Sequence, residues 1–225
     1  MEIRRRPGRP RTAAAWGPTQ VAELTERALH LGLTAIKIKV GFGEDTDLAT
    51  VRDVRTVGGD RLRVFADANQ AWDPPTARRM CGRLAEHGVN WFEEPIAGDG
   101  LDDLEALAEG AGVALATGEN VYGRGAYTRY ASSPAIAHIQ PDPSKTAGIS
   151  LGAEIGRLPG RARLSPHCYG GAPSLAASVH LVASAPRPGW VELDLRENPL
   201  RDRIAAGPEL GSDGHLSVPD GPGPG

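Results

Sequence analysis

The sequence predicts a parallel α/β fold closed into a (β/α)8 barrel, the TIM-barrel class, with a (β/α)7β variant also fitting, and three observations predict it. Short apolar runs alternate with helical patterns through most of the chain, the order that builds a parallel sheet. Asp67, Glu93 and Glu119 end three such runs and stand 26 residues apart, the length of one strand-plus-helix unit. Other ionisable groups continue the pattern, Lys37 and Lys39 before and Asp142, His167 and Glu192 after, at spacings of 23 to 28 residues counted from Lys39. In a parallel barrel the C-terminal strand ends converge on one mouth, so the spacing describes a ring of reactive groups around one pocket.

The elements follow in order. Residues 1–12 are a basic leader expected to be disordered, residues 13–206 the barrel, and residues 207–225 a Gly/Pro-rich, aperiodic tail. Residues 13–16 give a weak first strand, and residues 19–30 a helix with Val21, Leu24, Ala28 and Leu31 on one stripe and Gly32 after its end. In the strand at 35–40, Ile36, Ile38 and Val40 share one face and Lys37 and Lys39 the other. Apolar outside and lysine inside fits a barrel wrapped by helices. A helix at 45–57, a strand at 62–66 and a helix at 76–86 follow, the last with prolines at its start and Gly88 past its end. Trp91-Phe92 enters the fourth strand. Then come a helix at 101–108, a strand at 113–117, helical residues at 126–130, a strand at 136–140 and a short helix at 149–158. The pattern ends with a strand at 163–165, a small-residue helix at 173–183 and a strand at 190–193. An open doubly wound sheet is the alternative, but its glycine-rich nucleotide fingerprint is missing.

Composition excludes several classes. A formal net charge of −3 argues against a polyanion-binding surface, and Gly8-Arg9-Pro10-Arg11 is too short a basic motif to imply nucleic-acid binding. No apolar run approaches the roughly 18 residues of a membrane span. Cys81 and Cys168 are too few for a disulfide framework, so a reducing cytoplasm is the expected location.

Asp67, Glu93 and Glu119 offer only oxygen donors, the preference of a hard divalent cation such as Mg²⁺. Three carboxylates crowded into one mouth call for a compensating cation. Lys37 and Lys39 point the same way, and two ammonium groups beside a metal favour losing a proton, which turns a lysine into a base. Asp142 and His167 fall on adjacent strands, where the aspartate orients the imidazole and raises its basicity. His138 shares strand parity with Gln140 and is assigned to packing. A bound cation flanked by a lysine and a histidine suits removal of a proton beside a substrate carboxylate, giving an enediolate. Glu192 is expected to donate a hydrogen bond to it if protonated.

These residues resemble the enolase superfamily and, within it, the mandelate racemase subgroup. The motifs are Lys37-Ile-Lys39, Asp67-Ala-Asn69-Gln-Ala-Trp72, Trp91-Phe-Glu93-Glu-Pro95, Gly118-Glu119-Asn120, Gln140-Pro-Asp142, Ser165-Pro-His167 and Trp190-Val-Glu192, spanning about residues 34 to 198. The resemblance implies that Asp67, Glu93 and Glu119 bind Mg²⁺, with Glu93 rather than Glu94 as the ligand. It implies acid/base roles for Lys39 and His167, with Asp142 supporting His167. Lys37, Asn69 and Glu192 contact the substrate, Lys37 also tuning Lys39 and Glu192 stabilising the enediolate. The implied substrate is a small sugar or hydroxy acid and the implied reaction a dehydration, with racemisation or epimerisation on the same layout as the alternative. A homo-oligomer stays open. Relatives of this kind carry an N-terminal capping domain of about a hundred residues, for which 225 residues leave no room beside a barrel. A metal-binding barrel without turnover is therefore the second expectation.

Overall fold

The computed structural model describes residues 20–98, 100–146, 148–169, 171–199, 207–219 and 221 in full, and residues 11–15 as backbone. Of the leader expected over 1–12, residues 1–10 lie outside the described residues, while Arg11 and Thr12 already belong to a strand.

Eight strands and seven helices alternate among the described residues: β1 (Arg11–Ala15), α1 (Val21–His30), β2 (Ala35–Lys39), α2 (Glu44–Gly58), β3 (Arg63–Asp67), α3 (Pro74–Glu86), β4 (Val89–Glu93), α4 (Leu101–Ala108), β5 (Ala114–Thr117), α5 (Arg124–Ser132), β6 (Ile136–Ile139), α6 (Gly148–Arg157), β7 (Arg163–Leu164), α7 (Ala172–Ser184) and β8 (Val191–Asp194). All pairings are parallel, in the order β7-β6-β5-β4-β3-β2-β1-β8. The remaining junction, between β7 and the approach to β8, is one parallel bridge of Leu164 with Pro188. There Leu164 N donates to Arg187 O at 2.9 Å and Gly189 N donates to Leu164 O at 2.8 Å. The strand expected at 13–16 starts two residues earlier, and Trp16 falls outside the described residues.

Helix starts follow their local chemistry. Asp73 caps α3 by accepting from Thr76 N at 2.8 Å, and Pro74 and Pro75 occupy first-turn positions whose N–H groups have no helical partner. The buried Asp47 carboxylate of α2 accepts from Gly41 N at 2.9 Å and Phe42 N at 3.1 Å. It thereby pins the loop that follows Lys39.

Strand alternation divides two cores. Ile36, Ile38, Val64, Phe92, Leu115 and Ile136 face the helices in a continuous apolar layer. Inward-facing Ala35, Phe65, Trp91 and Ala116 form a separate cluster inside the ring, with Trp190 packed on it. Phe65 and Trp91 stack with centroids 3.9 Å apart, and Trp190 meets Phe65 edge-on at 5.2 Å. His138 joins this plug against Trp91 at 4.5 Å, its Nδ1 2.8 Å from Ser165 Oγ. Burial pushes its pKa down to about 3, so it is neutral, in keeping with a packing role.

The segment expected to be aperiodic tail is partly structured. Leu210 and Leu216 form an antiparallel bridge, and Leu216 is buried with Cys168, Leu175, Val179 and Val191. The physical reason is a close backbone approach that glycine alone permits: Gly32 and Gly214 have φ of +73° and +72°, and a Cβ on Gly214 would stand 2.2 Å from Gly32 O. Gly214→Ala is expected to lower stability by about 2 kcal/mol, read by urea unfolding.

His138 makes stability pH-dependent. Its folded pKa of about 3 lies below the ordinary 6.5, so the unfolded chain takes up its proton first as pH falls. Stability present above pH 6.5 is lost progressively toward pH 3, by about 2 kcal/mol between pH 7 and 5. His138→Phe should remove that part of the pH slope, measured by denaturant unfolding at both pH values.

Candidate active site

The C-terminal ends of β2 through β8 bring the expected residues to one mouth. Lys37 is buried, and its Nζ is 2.8 Å from Glu93 Oε1, 2.6 Å from Glu192 Oε1 and 3.5 Å from Asp67 Oδ2. Lys39 pairs with Asp67 Oδ2 and donates to Asn69 Oδ1 at 2.6 Å, while Asn69 N donates to Asp67 Oδ1 at 2.9 Å. Across the mouth, His167 Nδ1 lies 2.8 Å from Asp142 Oδ2, and its Nε2 is 3.1 Å from Glu119 Oε2. Cys168 N donates to Glu192 Oε2 at 3.2 Å.

Asp67, Glu93 and Glu119 each present a carboxylate oxygen within 4.8 Å of the others, and all three are buried. Glu93 Oε2 has no hydrogen-bond partner among the described residues. Burial first, and the nearby Asp67 charge second, push the Glu93 carboxyl up to about 8. An orphaned buried oxygen in an all-oxygen set whose members repel one another fits a hard cation, so the triad can hold a metal ion.

Two electrostatic features add to the sequence reading. Burial alone would lower the Lys37 pKa, but Glu192, Glu93 and Asp67 outweigh it and raise it well above the ordinary lysine value. Lys37 is thus an ammonium that ties carboxylates together. Burial would raise Glu192, yet the charges of Lys37 and His167 bring it below the usual carboxylate range. With these partners Glu192 is ionised and accepts hydrogen bonds from Lys37 Nζ and Cys168 N. His167 behaves as its aspartate partner implies: burial opposes its charge, but Glu192 and the Asp142 hydrogen bond raise its pKa to about 8.

A cavity of about 460 Å³ opens above these groups, lined by Lys39, Asn69, Glu119, Asp142, Lys145 and His167. A larger hollow of about 890 Å³, lined by Arg52, Arg61, Arg63 and Asn90, lies at the N-terminal ends of β3 and β4, away from this chemistry. The sequence assigned no role to Glu94, set aside as a ligand, to Asn120, present in a motif, or to Lys145. Asn120 Nδ2 donates to both oxygens of Glu94, at 2.9 and 3.0 Å, and Lys145 Nζ donates to Asn120 Oδ1 at 2.9 Å. Their separations of 26 and 25 residues repeat the strand-plus-helix interval, which is the signal that pointed to them.

A parallel barrel whose mouth gathers three carboxylates between a lysine and an Asp–His pair has the groups that acid/base chemistry requires, and comparison with known proteins gives the family. Residues 20–225 match the family described as enolase C-terminal domain-like, and the chain belongs to that family. It is 32% identical over 212 residues to a D-galactarolactone cycloisomerase of Agrobacterium fabrum, covering 90% of this chain and 56% of the relative. It is 35% identical over 198 residues to an arabinonate dehydratase of Saccharolobus solfataricus, covering 87% and 53%. The 3,6-anhydro-D-galactonate cycloisomerase structure from Zobellia galactanivorans superposes with a TM-score of 0.91 at 28% identity, covering 99% of this chain and 64% of that one. The chain therefore spans little more than half the length of these two curated relatives. Among the described residues no helix is long and apolar enough to cross a membrane.

Lys37→Met removes the ammonium from a buried ionic cluster and leaves Glu93 and Glu192 facing each other. In metal-free buffer near neutral pH it is expected to cost about 3–5 kcal/mol of stability, read by urea unfolding.

Proposed function

We propose that the chain carries a Mg²⁺-dependent site that removes the α-proton of a sugar or hydroxy acid, acting as an acid-sugar dehydratase. The observation that carries this reading is the placement of Lys39 and His167 on opposite sides of the acidic triad, each held by a carboxylate partner. Asp67, Glu93 and Glu119 would hold Mg²⁺, which when bound polarises a substrate carboxylate and makes the α-proton more acidic.

The chain's own groups then divide the work. Lys37 contributes a fixed positive charge at the carboxylate end, and Asn69 offers an amide beside Lys39. Lys39 takes the α-proton, so the C–H electron pair enters the carboxylate system as an enediolate. His167, oriented by Asp142, gives a proton to the β-hydroxyl as its C–O bond breaks, and water leaves. The resulting enol tautomerises to a 2-keto-3-deoxy acid. The ionised Glu192 keeps Lys37 in place and accepts from Cys168 N. Relatives named for arabinonate, galactarolactone and anhydrogalactonate support the substrate class. The two-sided placement also favours a second reading, racemisation or epimerisation, in which His167 returns a proton to the opposite face of the same carbon.

The test is proton exchange by NMR: purified chain, Mg²⁺ and a panel of sugar acids in D₂O, beside Lys39→Ala and His167→Ala. Deuterium incorporation or loss of water that requires Mg²⁺ and falls by about 10²–10⁴-fold in either variant is expected. Binding of Mg²⁺ with no exchange of any acid would leave a metal-binding barrel without turnover.

A further inference from the structure

Glu94 and Asn120 each follow a member of the acidic triad, and neither belongs to it. Glu94 is 1% exposed and sits at φ 39°, a backbone region that glutamate rarely adopts. Its main chain is held on both sides, Glu94 N donating to Ala116 O at 3.0 Å and Glu94 O accepting from Gln70 N at 2.8 Å. Its side chain meets Asn120 Nδ2 through both oxygens. Strain maintained by this many bonds points to a conformation that the site needs.

The contact continues past Asn120. Lys145 lies in the turn after β6, where Lys145 N donates to Asp142 O at 3.0 Å and Ser144 N donates to Asp142 Oδ1 at 2.6 Å. Asp142 holds His167, and His167 Nε2 comes back to Glu119. The bonds therefore close a circuit from the end of β5 through the β6 turn and β7 to the end of β5 again. Beneath it, buried Tyr127 donates to Gly118 O at 2.7 Å and bonds Thr146 Oγ1 at 3.1 Å, fixing the backbone on either side of Lys145 and Glu119.

We propose that Glu94, Asn120 and Lys145 are a clamp of positioning residues that sets the separation of Glu93 and Glu119 before a divalent cation arrives and ties that separation to the turn holding Asp142. The clamp rests on reading the triad as a metal site. Its logic is electrostatic. Like charges at the triad repel and would splay their strands' ends; bonding the residues after Glu93 and Glu119 to each other resists that motion, with Asn120 Nδ2 touching a ligand oxygen only at 3.4 Å, Glu119 Oε1. The neutral amide at position 120 reaches the buried Glu94 carboxylate without placing a cation next to the incoming metal. Lys145 supplies positive charge from the far side of the amide, 3.9 Å from Glu119 Oε1.

Asn120→Ala changes no charge and isolates the clamp. Calorimetric titration with MgCl₂, and Mn²⁺ binding followed by electron paramagnetic resonance, give the metal Kd for the variant and the parent chain without any substrate. The expected result is a Kd about 10- to 100-fold higher in the variant, whereas a change within about two-fold overturns the clamp. A lower melting temperature in the metal-free protein with an unchanged Kd also overturns it, because a merely structural contact behaves that way. Should Asn120→Ala fail to fold, Asn120→Ser removes the amide with a smaller cavity and is judged by the same Kd criterion. A parent chain that binds Mg²⁺ but exchanges no acid sinks the catalytic reading and leaves the clamp standing. A parent chain that binds no Mg²⁺ sinks both.

Discussion

One buried charge organises this molecule. The Lys37 ammonium lies inside the barrel against Glu93, Glu192 and Asp67, three carboxylates from three strands. A lone ammonium there would lose its proton, and the carboxylates without it would repel one another. Each is tolerable only with the others in place, so the registers of β2, β3, β4 and β8 are coupled through one nitrogen. Negative groups still outnumber positive ones around the mouth, and that surplus suits the triad to a cation.

The same strands supply the insulation beneath. Counting two residues back from each functional group reaches its support: Phe65 under Asp67, Trp91 under Glu93, Ser165 under His167, Trp190 under Glu192. Alternation places both members of each pair inside the ring, one step apart along the axis. The stacked Phe65 and Trp91 rings close the lower half, so the ionic layer meets solvent from one side alone. That asymmetry strengthens every interaction in the layer above.

Periodicity made much of this legible. The 26-residue interval gave the parallel architecture and placed Lys37, Lys39, the acidic triad, Asp142, His167 and Glu192 at one mouth, because a closed ring leaves strand ends one destination. Boundaries moved by a residue or two, as at β1 and β3. Protonation was less accessible: whether Glu192 is an acid or a carboxylate depends on its 2.6 Å contact with Lys37, which no spacing reveals. The contacts among Glu94, Asn120 and Lys145 were less legible, because an amide, a lysine and a second carboxylate in loops are common wherever they fall and only the fold brings these three together. The turn at Leu210–Leu216 was hidden by composition, since its glycines read as looseness when two of them serve close contact.

The ring is unevenly joined. Most neighbouring strands share several paired residues, whereas β7 spans only Arg163 and Leu164 and reaches the β8 side through a single bridge. His167 and Glu192 stand on the two banks of that seam, and the acidic triad stands on the well-knit arc opposite. Thermal opening of the cylinder would begin at this thin stave. The first state on the unfolding path would keep its carboxylates in register and lose the imidazole, parting the residues proposed to hold a cation from one proposed to move protons.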